Sequence, residues 1–247
     1  MAQRLWTRDE EIIVFNLYCK IPFNRSSKNH PDVIRIAELI GRSPSAVNMK
    51  IGNLGSFDET LKARGIVGLR NASKLDARVW AEFNNHWDEL AFESERLLAA
   101  LQGKSDELPS FGEESVAVRR KVNQDFFRRA VLASYQNACC ITGLNISELL
   151  VASRIKSVGD EGELTNPANG LCMNALHGRA FDLGFITVTP DYKIHVATDI
   201  SDAYDNAVIE KFFRAYDGQR IDRPEKFLPP KSFLEYHNDV VFRKFVG

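Results

Sequence analysis

The chain has 247 residues, 44% of them hydrophobic and 26% charged, which suits a globular protein of two small domains or one large one. Its formal net charge of −1 excludes a polycation that coats nucleic acid indiscriminately, so any DNA contact must come from local basic patches. No apolar run approaches the roughly 20 residues of a membrane helix, and the opening MAQRLWTRDEE lacks the apolar centre of an export signal. No membrane association and a cytoplasmic location are therefore expected. Four cysteines without a C-x-x-C pair argue against a disulfide framework and a zinc knuckle.

Residues 7–20 read as a helix, opened by the capping-box pair Thr7 and Glu10 and stopped by Pro22. Pro31-Asp32 opens a second helix through Ile40. Gly41 ends it, and Ser43-Pro44 starts a third, which runs to Asn53. Ala37, Gly41 and Val47 fall at the spacing of a helix-turn-helix, with a small residue, a turn glycine and a β-branched packing residue. On that reading the second helix of the pair presents Ser45, Asn48 and Lys50 to DNA. A purely structural helical hairpin fits the same letters. Residues 55–73 form a connector, and 74–101 read as one long amphipathic helix with Leu75, Val79, Phe83, Trp87 and Leu90 on its apolar stripe.

Residues 103–114, GKSDELPSFGEE, read as an interdomain linker. Residues 115–136 form a helix whose cations Arg119, Arg120, Lys121, Arg128 and Arg129 suit phosphate or a solvated face, while Phe126, Phe127 and Val131 suit a core. Cys139–Ile141 and Leu149–Ala152 read as two strands about the Thr142-Gly143 turn. A polar loop carrying Gly159, Gly162 and Pro167 follows, then Asn169-Gly170 and a helical segment with His177 and Asp182. Residues 185–188 and 193–197 read as strands, 207–216 as a helix, 224–230 as a loop and 232–245 as a closing helix. His195 and His237 read as structural.

Four blocks of this second half resemble an HNH nuclease subgroup. They are Cys139-Cys140-Ile141-Thr142-Gly143, Ala152-Ser153-Arg154-Ile155-Lys156, Asn169-Gly170-Leu171 and Leu176-His177 through Phe181-Asp182. The resemblance implies a hairpin laid on one helix around a single divalent metal, Mg2+ or Mn2+. It implies that Asn169 orients the loop, that His177 is a metal ligand with Ser153 at a second metal position, and that Asp182 holds the loop. The general-base position falls on Arg154 where the family has histidine. Arginine stays protonated and cannot take a proton from water. Either the fold persists here as a binding module, or the active form carries histidine, or another group such as His195 serves as base.

The expected fold class is α+β. Residues 1–102 form a helical, helix-turn-helix-like DNA-recognition domain, 103–114 a linker, and 115–247 an HNH (ββα-metal) nuclease domain. The resemblance implies a metal-dependent DNA endonuclease of restriction or defence type, acting on double-stranded DNA as a homodimer and inactive in this form because of Arg154. A non-catalytic DNA-binding regulator is the alternative.

Overall fold

The structure, a computed structural model, describes residues 4–66, 72–104, 113–198, 200 and 207–243. It is mostly helical with two small two-stranded sheets, an α+β arrangement. No helix among the described residues is long and apolar enough to cross a membrane.

The first half is built around helix α1 (Arg8–Lys20), in which every residue from Glu10 to Cys19 is buried. A helix enclosed on all sides needs its ends fixed. Thr7 does so at the start, where both bonds of the capping box with Glu10 are formed. Helices α2 (Pro31–Leu39) and α3 (Pro44–Gly55) follow at the expected places. Gly41 takes φ +64° between them, a turn that a Cβ would strain, and Ser43 caps α3. Helix α4 (Glu59–Ala63) is short. The long helix expected over 74–101 is two helices, α5 (Lys74–Phe83) and α6 (Trp87–Leu101). Asn85 breaks the run at φ +75°, a left-handed position that asparagine tolerates. The break turns Trp87 inward, onto Phe126 and Phe227, with ring centroids 6.5 and 5.1 Å apart.

Residues 105–112, most of the expected linker, lie outside the described residues. Helix α7 (Glu113–Ser134) then serves two cores. Phe126 and Ala130 join the core of the first half, while Phe127 and Val131 join that of the second. Each pair is spaced i, i+4, so two adjacent faces of one helix meet different neighbours.

The second half differs from expectation at its first strand. Cys139–Thr142 is a turn, tied by Cys140 N–H to the Cys172 carbonyl at 2.8 Å. The strands that pair are β1 (Leu150–Arg154) and β2 (Gly170–Asn174), antiparallel, with Ser153 opposite Leu171 and Arg154 opposite Gly170. The long loop between them carries the one-turn helix α8 (Glu161–Thr165). Helix α9 (Ala175–Asp182) follows β2 directly, with Asn174 as its cap. Strands β3 (Ile186–Val188) and β4 (Ile194–Val196) pair as expected, followed by α10 (Ala207–Phe212). Helix α11 (Lys231–Tyr236) passes into a π turn, His237–Val241, and stops short of the expected closing helix.

Residues 224–230 contain no helix or strand, yet they join the halves. The Lys226 ammonium is fully buried and donates to the Tyr18 carbonyl, and to those of Cys19 and Ile21 at 3.3 and 2.9 Å. These are the carbonyls left open at the end of α1, and a cation is the natural donor to them. Burial lowers the Lys226 pKa to about 8.

Candidate functional site

The end of β1 forms the floor of a cleft of about 460 Å³, walled by α7, the loop after β1, the end of α9 and the π turn. Ser153 and Arg154 lie on this floor, Arg120 and Asn123 come from α7, and Asp182 and His237 face them. Two glycines let the elements close around it. A Cβ at Gly170 would stand 2.3 Å from Val131 Cγ2 and 2.9 Å from Phe127 Cζ, so β2 lies flush on α7. A Cβ at Gly178 would stand 2.3 Å from Val151 Cγ2 and 2.9 Å from Ser153 Oγ, so α9 lies flush on β1.

Arg154 is half-buried, with its guanidinium 4.4 Å from the centroid of the Phe127 ring. Its Nε donates to the Leu164 carbonyl at 3.0 Å. Burial lowers its pKa from the usual arginine value, while the Glu161 carboxylate lies near enough to favour its charge but beyond ion-pair distance. The Ser153 hydroxyl is buried and makes no hydrogen bond of ordinary geometry. It lies near enough to Asp182 to favour the ionised carboxylate, but burial outweighs this and raises the Asp182 pKa. His237 is spoken for: Nδ1 bonds the Thr187 hydroxyl at 2.8 Å, Nε2 bonds the Phe181 carbonyl at 3.1 Å, and the ring stacks on Phe181. Burial pushes its pKa down to about 4, so it is a neutral wall of the cleft.

Asn169 is fully buried and ties the loop to the strand. Its Oδ1 accepts from Lys156 N–H at 2.9 Å, and its Nδ2 donates to the Lys156 carbonyl at 2.8 Å and the Glu163 carbonyl at 3.3 Å. Its own carbonyl accepts from Ile155 N–H at 2.9 Å. The side chain therefore fixes the backbone just after Arg154 and sets how that residue leaves the strand.

His177 is not brought to the cleft, which corrects its expected pairing with Ser153. It is buried, and Nδ1 lies 3.0 Å from Asn174 Nδ2 while Nε2 lies 2.6 Å from the Phe212 carbonyl. Phe213 and Tyr216 meet the ring edge-on. The helical turn explains the miss. Gly178 and Asp182, spaced i, i+4, occupy the face of α9 on the cleft side, and His177 is about 100° off it.

The divalent metal implied by the resemblance does not fit these residues. Among the described residues no group of three His, Cys, Asp or Glu side chains is placed to hold one. The Asp182 carboxylate has a neutral hydroxyl beside it, and the Arg154 cation on the same floor repels a second positive charge. His195, the other candidate base, is on β4, exposed and 3.6 Å from the Asp217 carboxylate, outside the cleft.

The expected DNA contacts divide. Lys50 is a correction: its ammonium is buried between Glu11, at 2.9 Å, and Asp76, and cannot reach a phosphate. Asn48 accepts from the Ser26 hydroxyl at 2.6 Å, which leaves Ser45 exposed and uncommitted on α3. On α7 the five cations do not share one face. Taking Arg119 as origin, Arg120, Lys121, Arg128 and Arg129 stand at about 100°, 200°, 180° and 280° around the axis. Arg119 turns onto the Phe92 ring of α6, and Arg129 is partly buried. Arg120, Lys121 and Arg128 remain exposed, Arg120 at the cleft and Arg128 at the Ser147 carbonyl, 3.5 Å away.

Sequence reasoning missed Asn123 and His237 as cleft residues. His237 reaches the cleft from 55 positions beyond Asp182 in the chain, a contact that no local spacing announces. No protein-family model matches the chain, and no curated protein sequence matches it either.

Proposed function

We propose that this chain binds the backbone of double-stranded DNA on an HNH-type ββα core, and that in this form it holds the strand without hydrolysing it. The observation that carries the reading is Arg154, a half-buried guanidinium on the cleft floor with no ion-pair partner among the described residues. Taking a cation from water is unfavourable unless an anion meets it, and a guanidinium matches a phosphate with two parallel donors. Arg120, Lys121 and Arg128 extend the positive surface along α7. The run β1, loop, β2, α9, with Asn169 bracing the loop behind Arg154, supports the comparison with HNH nucleases.

Fluorescence anisotropy with a labelled duplex tests this. Binding should weaken as salt rises, and Arg154→Ala should weaken it at least about tenfold, the cost of losing a charge-assisted contact. Salt-independent binding, or an Arg154→Ala variant that binds as the parent does, would refute it.

A second reading keeps the endonuclease itself, of restriction or defence type, with histidine at position 154 in the active form and Mg2+ or Mn2+ as cofactor. The Asn169 bracing favours it. Plasmid incubated with Arg154→His and either metal decides: nicking by that variant alone supports a silenced nuclease, and intact plasmid leaves the binding module.

A further inference from the structure

We propose that the cleft is a nucleotide pocket, which takes one unstacked nucleotide with its phosphate at Arg120 and Arg154 and a base N–H donor at Asn123 Oδ1. The inference rests on the DNA-binding reading above and adds what enters the cleft. One of its walls carries an orphaned polar atom. Asn123 is 3% exposed, yet its Oδ1 has no hydrogen-bond partner. Buried polar atoms are almost always satisfied, so an orphan lining this cleft marks a ligand that completes it. The Asn123 amide is oriented by its Nδ2, which donates to Glu161 at 3.4 Å, and so its oxygen is the free end.

The lining offers two kinds of partner. Arginine supplies donors only, so Arg120 and Arg154 take an acceptor with negative charge. Asn123 Oδ1 accepts only, and an ionised phosphodiester has no donor to give it. A ligand that satisfies both carries an anion and an N–H. Every DNA base presents an N–H on its pairing edge, which is free only when the base is unpaired or turned out of the stack. The volume agrees: about 460 Å³ lies within the ~300–1,000 Å³ of small-ligand pockets and is far larger than one phosphate group needs. The carboxylates present, Glu161 and Asp182, would oppose a second phosphate, which favours a monophosphate unit over a di- or triphosphate.

Isothermal titration calorimetry with dAMP, and with deoxyribose 5-phosphate as the ligand lacking a base, tests the pocket on the unaltered protein. We expect dAMP to bind at least about tenfold more tightly, because the abasic ligand has no base N–H to offer Asn123 Oδ1. Asn123→Leu should abolish that difference, with a thermal melt confirming the fold. Equal affinity for the two ligands on the unaltered protein would overturn the proposal without reference to any variant. Arg154-dependent duplex binding alongside that equality would leave the backbone reading standing and the nucleotide pocket refuted. Preference for dAMP without any duplex binding would keep the pocket and refute the backbone reading.

Discussion

Lys50→Met asks whether the lysine of α3 is an anchor of the fold or a contact to DNA. The side chain is 5% exposed, and Glu11 and Asp76 beside it are both at 0%. Removing one partner of a buried ion pair costs about 3–5 kcal/mol, because the remaining charge stays buried. Two features place this case at the lower end. Burial already holds the Glu11 pKa near 7, so at pH 7.5 protonating it costs at most about 1 kcal/mol. Asp76 keeps the Ser73 N–H and the Asn53 amide as donors, at 2.7 and 3.2 Å. The expected loss is about 3 kcal/mol at pH 7.5, a fall in Tm of about 6–12 °C for a chain of this size. It should shrink at pH 5.5, where Glu11 is neutral in parent and variant alike. Urea unfolding at the two pH values measures the loss, and anisotropy with duplex DNA under folding conditions measures binding. A loss below about 1 kcal/mol together with weakened DNA binding would show that Lys50 faces the nucleic acid and that its burial is misassigned.

Gly170→Ala should destabilise by about 1–3 kcal/mol, since its Cβ must displace Val131 and Phe127 from the contact between β2 and α7. Phe127 is also the ring beneath Arg154, so the same variant should weaken duplex binding; a thermal melt unchanged from the parent refutes the close approach. His237 should remain neutral well below its usual range, with an NMR titration midpoint near pH 4. The unfolded chain takes this proton near pH 6.5 and the folded chain does not, so the His237 contribution to stability falls as pH drops through that window, by up to about 3 kcal/mol. Glu11 acts in the opposite sense: its folded pKa is raised to about 7, so its contribution is full below about pH 4.5 and is lost as pH rises through 7. The NMR midpoint isolates the histidine, and a value above 6 would refute its enclosure.

The helical half was legible because its signals are local. The Thr7–Glu10 box, the Ser43-Pro44 start and Gly41 each act within one turn of backbone, and each is formed as its letters imply. The first strand of the second half was misplaced because Cys139–Ile141 and Leu171–Met173 are both short apolar runs. Which one pairs with β1 is a long-range matter of register that alternation does not settle. The same limit explains Lys50. A lysine on an amphipathic helix reads as solvent-facing, and only the fold brings Glu11 and Asp76 around it from positions 39 and 26 residues away. His177 shows how narrow a motif-based assignment is, because one residue of offset on a helix turns a side chain by about 100°, from the cleft into the packing against Phe212 and Phe213.

The two halves are coupled through α7 and Lys226, and that coupling bears on what Arg154 can do. Phe127 supports the guanidinium, while its neighbour Phe126 is held by Trp87 in the other core. Lys226 fastens the segment before α11 to the end of α1, and α11 leads directly into the π turn that walls the cleft. The cleft is therefore braced from both cores, and its shape should change little when a ligand enters. A rigid floor suits Arg154 as a holding group, because a cation fixed on an aromatic ring and a carbonyl loses little side-chain freedom on meeting a phosphate. It suits proton transfer poorly, since arginine has no lone pair to offer and His237, the histidine of the cleft, has both ring nitrogens bonded. The bracing of this cleft is thus independent of whether position 154 can act as a base, so on the proposed reading one exchange at that position would separate binding from cleavage.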